Sequence, residues 1–305
     1  MKLNKSTYYP NITKEVLAGA FILMVAGASA QNLFVSNFTT GDIYEITPGG
    51  VQSVFASGMN YPFGIAFNNA GDLYVANTAL DGGNGYISEI TPNGTQSTFA
   101  SGIDPKALAV NGAGDVFEAD YNSGNIYEYT PSGTQSTFAT GLSTPQVLAF
   151  NSAGNLFVGG GYGNGNGTII EITPSGNQSL FASGLSFPGG MAFNSAGDLF
   201  VGDETGGAIY EYTPQGVQST FTTVNGDLNG LAFNNAGDLF AATSEGPIIE
   251  ITPSGSQSTF ATQSGNPNGL AFQPVPEPSV LGMFGACASA YLFYRRTGKS
   301  ANAKA

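Results

Sequence analysis

The chain has 305 residues, 44 of them Gly, with no Trp, no His and only 10% charged residues. This composition favours short strands and tight turns over helices, which are built mainly from Ala, Leu, Glu and Lys, and the missing imidazole excludes Ser-His-Asp and Cys-His nucleophile pairs and His-ligated zinc or iron. Eight basic residues against 21 acidic ones give a net charge of −13, which repels a phosphate backbone and argues against a nucleic-acid partner.

At the N-terminus, Lys2, Lys5 and Lys14 precede the apolar run Val16 to Ala26, and Ala28-Ser29-Ala30 offers a small-residue cleavage site before Gln31. That order is the one expected of a secretory signal peptide over residues 1–30. The alternative is an N-terminal anchor, for which the run is short against a span of about 20 residues.

From Gln31 to Pro274 four signatures recur in fixed order roughly every 40 residues. The first is a small-residue apolar strand, as in Phe63-Gly64-Ile65-Ala66-Phe67, repeated at Lys106 to Val110, Gln146 to Phe150, Gly189 to Phe193, Asn229 to Phe233 and Asn268 to Phe272. After a turn such as Asn68-Asn69-Ala70-Gly71-Asp72 comes Leu73-Tyr74-Val75, with counterparts starting at Leu33, Val116, Leu156, Leu199 and Leu239. The third strand, of the type Ile43-Tyr44-Glu45-Ile46-Thr47, carries Glu89, Glu128, Glu171, Glu211 and Glu250 in the other copies. A Pro-x-Gly turn then leads to the fourth, as in Gln135-Ser136-Thr137-Phe138-Ala139.

Four short strands per unit predict an all-β, six-bladed β-propeller with four antiparallel strands per blade over residues 31–274. The region opens on a second strand, Leu33, and closes on an orphan first strand, Asn268 to Phe272. The C-terminal strand therefore completes the N-terminal blade and leaves no free edge at the seam. First strands, with Gly and Ala between larger residues, belong nearest the axis, and Phe and Tyr of the second and third strands fill the wider space between blades. The Asn-x-Ala-Gly-Asp and Pro-x-Gly turns supply positive φ and local hydrogen bonds.

The unit G-[LIM]-A-F-N-x-A-G-D-L-[FY]-V followed by I-Y-E-[IY]-T-P-S-G, over residues 32–273, resembles the NHL-type and gluconolactonase/regucalcin-like six-bladed propellers. The resemblance implies architecture and leaves activity open, because such propellers include metal-dependent sugar lactonases and proteins that only bind. In the lactonases, acidic and Asn side chains at the inner ends of first strands hold one divalent cation in the channel. The corresponding positions here are Phe63, Lys106, Gln146, Gly189, Asn229 and Asn268. The resemblance marks Asn229 and Asn268 as ligand candidates, sharing a ring with Gln146 and Lys106. With a lysine and no carboxylate, that ring is expected to bind calcium or another divalent cation weakly.

A second ring follows the second strands at Asn37, Asn77, Asp120, Gly160, Asp203 and Thr243. Asp120 and Asp203, with Glu118 and Glu204 close by, supply either metal-type oxygen ligands and a general acid/base pair or caps for the loops. Asp72, Asp115, Asp198 and Asp238, like the strand glutamates, repeat blade by blade and read as turn or blade residues. The Gly-rich insertions Ala79 to Gly85 and Gly159 to Gly167 lack the Lys-Ser/Thr of a phosphate loop.

The tail, 275–305, carries Pro276-Glu277-Pro278, an apolar segment over 279–294, and then Arg295, Arg296, Lys299 and Lys304. It resembles the PEP-CTERM sorting signal of Gram-negative bacteria. That resemblance implies an exosortase-type processing enzyme, transient residence in the inner membrane, and delivery to the cell surface or an exopolysaccharide matrix; the alternative is a permanent anchor. Cys287, the only cysteine, lies in this tail, so the body has no thiol.

Without its ends the body keeps Lys106 alone against 19 acidic groups, a net of −18. A matrix partner is then a neutral or cation-bridged polysaccharide, or a protein, rather than a directly bound polyanion. The sequence thus predicts an exported, non-catalytic binding or structural propeller. The alternative is a divalent-cation-dependent sugar lactonase-like hydrolase, with Asn229 and Asn268 as ligands and Asp120 or Asp203 as the acid/base.

Overall fold

A computed structural model describes residues 31–79, 85–161 and 165–275. The expected signal peptide, the tail from Pro276 onward, and residues 80–84 and 162–164 of the two Gly-rich insertions lie outside the described residues.

Six four-stranded antiparallel sheets form the blades. Blade 1 contains β1 (Leu33–Asn37), β2 (Asp42–Ile46) and β3 (Gln52–Ala56), and its innermost strand is the last of the chain, β24 (Pro267–Phe272). The other blades run from the axis outward in chain order. Blade 2 is β4 (Pro62–Phe67), β5 (Leu73–Asn77), β6 (Gly85–Ile90) and β7 (Gln96–Ile103). Blade 3 is β8 (Pro105–Val110), β9 (Val116–Asp120), β10 (Asn125–Tyr129) and β11 (Gln135–Ala139). Blade 4 is β12 (Pro145–Phe150), β13 (Leu156–Gly160), β14 (Gly167–Ile172) and β15 (Gln178–Leu185). Blade 5 is β16 (Pro188–Phe193), β17 (Leu199–Asp203), β18 (Ala208–Tyr212) and β19 (Gln218–Thr223), and blade 6 is β20 (Leu228–Phe233), β21 (Leu239–Thr243), β22 (Pro247–Ile251) and β23 (Gln257–Thr262).

The predicted six-bladed ring is therefore the observed one, closed as expected. In the seam β24 pairs β1 antiparallel, with Leu33 opposite Phe272 and Val35 opposite Leu270. The amide of Gln273 donates to the carbonyl of Asn32 at 3.0 Å and that of Phe38 to Asn266 at 2.9 Å, extending the ladder beyond both strand ends.

The innermost strands touch one another around the axis, and their glycines explain how. A Cβ on Gly64 would lie 2.7 Å from the Cα of Ala107, and one on Gly190 2.7 Å from the backbone nitrogen of Leu231. Backbone approaches backbone there, so any side chain forces the blades apart. The second strands, sandwiched between blades, are buried at every residue. The outermost strands begin with three exposed residues, mostly Gln, Ser and Thr. A register shift interrupts each outermost pairing, and such bulges are one of the devices that blunt a sheet edge.

Aromatic packing between blades differs in detail from the expectation. The wedge is a trio made by a second-strand Phe, a fourth-strand Phe of the same blade and the last Phe of the next blade's first strand. Phe117 meets Phe138 and Phe150 at 5.0 Å in edge-to-face geometry, and Phe200 meets Phe221 and Phe233 in the same way. Each such pair contributes about 0.5–1.5 kcal/mol beyond the area it buries. Five interfaces use this trio. The sixth, between blades 2 and 3, has Tyr74 in place of the central Phe and Val110 in place of the last, with Tyr74 packing on Phe99.

The recurring turns are structural. Asn68 accepts hydrogen bonds from the amides of Ala70 and Asp72 and donates to the Asp72 carboxylate at 2.9 Å. The same arrangement joins Asn111 to Asp115, Asn194 to Asp198 and Asn234 to Asp238. Among the strand glutamates, Glu45 accepts from Asn32, Glu171 from Asn155 and Glu89 from the Tyr74 hydroxyl.

Candidate functional site

Each innermost strand enters the ring on a buried Pro or Leu, and its second residue faces the axis. Strand alternation thus carries Phe63, Lys106, Gln146, Gly189, Asn229 and Asn268 to one place, a cavity of about 430 Å³ at the mouth of the channel. The six positions marked by the lactonase resemblance thus line one cavity. Loop residues complete the wall: Phe38, Tyr121 and Glu204 directly after second strands, and Phe187 and Asn266 directly before first strands.

The second predicted ring does not face the cavity. Asn37, Asn77, Asp120, Asp203 and Thr243 are all buried, and they bind the backbone of neighbouring loops. Asp120 accepts the amides of Asp104 at 3.1 Å and Ser123 at 2.8 Å, and Asp203 accepts those of Ser186 and Phe187, both at 2.9 Å. Asn37 receives Thr39 and Thr40 and donates to the carbonyl of Ser264, whereas Asn77 receives the amide of Asn60. Asp120 and Asp203 stand on blades 3 and 5, each occupied in its own blade. Among the described residues, the carboxyl group that lines the cavity is that of Glu204, one residue beyond Asp203.

Lys106 dominates the electrostatics. Its Nζ lies 3.2 Å from the centroid of the Phe63 ring and 5.6 Å from that of Tyr121, so two π faces partly replace lost hydration. Burial nonetheless depresses the ammonium to about 8, against the opposing pull of Asp104 and Glu204. Burial also raises the Glu204 carboxyl, helped by Asp227 and resisted by Lys106.

Around the rest of the ring, the amides of Asn229 and Gln146 are anchored through their NH₂ groups. Asn229 donates to the side-chain oxygen of Asn266 at 2.5 Å and to the carbonyl of Pro267 at 3.0 Å, and Gln146 donates to the carbonyl of Pro188 at 3.2 Å. The side-chain carbonyl oxygens of Asn229 and Gln146, and the whole amide of Asn268, keep hydrogen-bonding capacity for a ligand. A divalent cation fits this donor set poorly: it would meet neutral amides, a single carboxyl group and a lysine, where hard cations favour sets of carboxylate and carbonyl oxygens with no cation beside them. No cluster of three or more His, Cys, Asp or Glu side chains able to hold a metal occurs among the described residues.

Glu118 takes no part in the channel. It is 0% exposed, and neither carboxyl oxygen has a hydrogen-bond partner among the described residues. Burial, then Asp120 and Asp104, push its carboxyl up to about 9, so the group is neutral at pH 7. Its register counterparts are Val35, Val75, Val158, Val201 and Ala241. That departure from the repeat, at the one interface without the Phe trio, is the sequence signal that marks it. Glu204, Phe38, Tyr121, Phe187 and Asn266 sit in connections that differ from blade to blade, and for the same reason they stand outside the repeat.

No family model matches the chain, and no curated protein does. Solved structures match its fold. The virginiamycin B lyase of Staphylococcus aureus superposes with a TM-score of 0.56 at 18% identity over 70% of this chain and 77% of its own. A protein described as a putative gluconolactonase gives 0.60 at 16% over 70% and 81%, and a streptogramin B lyase gives 0.55 at 17% over 76% and 74%. At these identities the likeness is one of architecture.

Proposed function

We propose that this propeller is an exported, non-catalytic binding protein whose channel mouth holds a neutral, polyhydroxylated ligand such as the end of a cell-surface or matrix glycan. One observation carries the reading: the available oxygens of Gln146 and Asn229 and the amide of Asn268 share a single cavity with the aromatic rings of Phe38, Phe63 and Tyr121. Amides exchange hydrogen bonds with hydroxyls in both directions, and aromatic faces receive the C–H groups of a pyranose. The cavity volume falls within the range of small-ligand sites. The net charge of −18 over residues 31–274 disfavours an acidic polymer.

Export and sorting rest on the order of residues at the two ends: a signal peptide before Gln31, and Pro276-Glu277-Pro278 with Arg295 and Arg296 for an exosortase-type enzyme. Replacing Pro276, Glu277 and Pro278 by Ala is expected to hold the protein at the inner membrane, measured by fractionation and surface labelling.

The ligand is tested by calorimetric titration with neutral and acidic oligosaccharides. Binding confined to neutral members, and at least tenfold weaker in Asn268→Ala with unchanged thermal stability, is the expected result. The alternative is a lactone hydrolase, the activity suggested by the name of one solved neighbour, the putative gluconolactonase, and it draws on Asn229, Asn268 and Glu204 sharing one cavity. Lactone turnover abolished by a chelator and by Asn229→Ala would replace the binding reading.

A further inference from the structure

We infer that the rim of blades 1 and 2 carries an outer sugar subsite, built on Tyr61 and Phe38, so that the channel grips an oligosaccharide by its end and holds the next unit outside. This rests on the neutral-glycan reading of the cavity and extends it from a single sugar to a chain.

The three rings form a continuous aromatic path from solvent into the cavity. Tyr61 is 37% exposed. Its ring centroid lies 5.0 Å from that of Phe38 at a shallow tilt of 38°, and Phe38 lies 5.0 Å from Phe63, which faces the cavity beneath Lys106. The other exposed large apolar side chains, Val51, Val54, Leu180, Val217 and Val275, lie on outer strands and turns or after β24. Among the described residues, Tyr61 alone of these adjoins the channel mouth.

The backbone is constrained to present that ring. Tyr61 has φ of 45°, a region that side-chain-bearing residues avoid, and it precedes a proline, which disfavours helical backbone further. Contacts on both sides hold it there. The buried Asn77 accepts the amide of Asn60 at 3.1 Å, Thr78 donates to the Tyr61 carbonyl at 3.4 Å, and Pro62 is buried at the start of β4. Thr144, before Pro145 at the same position of blade 4, has φ of 41° as well, so the entry to a first strand sets this backbone, and what distinguishes blade 2 is that the residue displayed there is aromatic and packs on Phe38. Strained backbone that displays a side chain beside a ligand cavity is a recurrent device at binding sites. A flat, half-exposed phenol beside a second ring suits the apolar face of a pyranose and leaves the hydroxyl for a polar contact.

The test is calorimetric titration of the full-length chain with neutral gluco-, manno- and galacto-oligosaccharides from monosaccharide to hexasaccharide, repeated with Tyr61→Ala and Tyr61→Gly. The expected result is a series that binds more tightly as it lengthens. Both variants should lose about tenfold affinity for the longer members and none for the monosaccharide, and Tyr61→Gly should melt no lower than wild type. That last readout separates ligand contact from structural support. Equal affinity for short and long members, or variants that keep the length dependence, would overturn the subsite while leaving the channel reading intact. Absence of binding to every series by the wild-type chain would overturn the channel reading, and the subsite with it.

Discussion

The ammonium of Lys106, on β8, lies 3.2 Å above the centre of the Phe63 ring on β4, so the one cation of residues 31–274 is seated on an aromatic face of the neighbouring blade. This contact joins blades 2 and 3 at the axis and fixes the polarity of that side of the channel. It also makes Lys106 a reporter of the channel.

Lys106 should titrate with a midpoint near 8, because burial outweighs the attraction of Asp104 and Glu204. Proton and carbon NMR of the lysine ε-methylenes measures this, and Lys106→Met identifies the shifted signal by deleting it. Glu204→Gln or Phe63→Leu removes a stabiliser of the charge and should lower the midpoint further. Between about 8 and the unfolded value of 10.5 only the unfolded chain holds this proton. The residue's contribution to stability therefore rises with pH across that window.

Glu118 gives the opposite dependence. Its folded carboxyl is raised from 4.5 to about 9, so between those values the folded state holds a proton that the unfolded state has released. Stability from this group is fully present below 4.5 and is lost as pH rises towards 9. Asp104, Glu128 and Glu204 are raised as well and act in the same direction. Glu118→Val, which restores the residue of four other blades, should flatten much of the dependence and stabilise the protein by about 1–3 kcal/mol at pH 7. Thermal melts from pH 5 to 8 measure both effects.

Asp203 and Glu204 are adjacent but should separate cleanly. Asp203→Ala removes the acceptor for the amides of Ser186 and Phe187 and should cost about 1.5–3 kcal/mol. Glu204→Ala should leave the melting temperature nearly unchanged while lowering the Lys106 midpoint. Denaturant titration and the lysine NMR signal, recorded on the same two variants, check the pair.

Gly64→Ala places a methyl group 2.7 Å from the Cα of Ala107 and 3.1 Å from the carbonyl oxygen of Lys106. Overpacking there should cost about 1–3 kcal/mol and shift the Lys106 titration. Gly94→Ala, in an outer turn with φ of 82° and no atom in its way, should cost about 1 kcal/mol through backbone strain alone. Its Lys106 signal should stay in place.

The fold was legible because a propeller writes its structure in repetition: the Asn-Asp turns, the Pro-x-Gly turns and the glycines of the inner strands recur wherever the same backbone problem recurs. The inner ring from Phe63 to Asn268 was legible as well, since one register position per blade defines it. Side-chain direction at the end of a strand was harder to read. Asp203 and Glu204 are both acidic neighbours, and only the turn that carries Glu204 over the rim, with its amide on the carbonyl of Phe187 at 2.8 Å, decides which one meets a ligand. Tyr61 lay hidden for a related reason. It precedes a proline, where extended backbone is expected, and its positive φ follows from contacts with Asn77 and Thr78 that local sequence does not contain.

The pairing of Leu33 with Phe272 gives the molecule a sense of its own completeness. Five blades can form from consecutive stretches of chain, but blade 1 stays three-stranded until β24 arrives, with one side of β1 exposed as an unpaired strand. A chain interrupted anywhere before Pro267 keeps that edge open, where proteases and foreign strands find it first. An intact ring is thereby distinguishable from every shorter version of itself by the absence of a single edge.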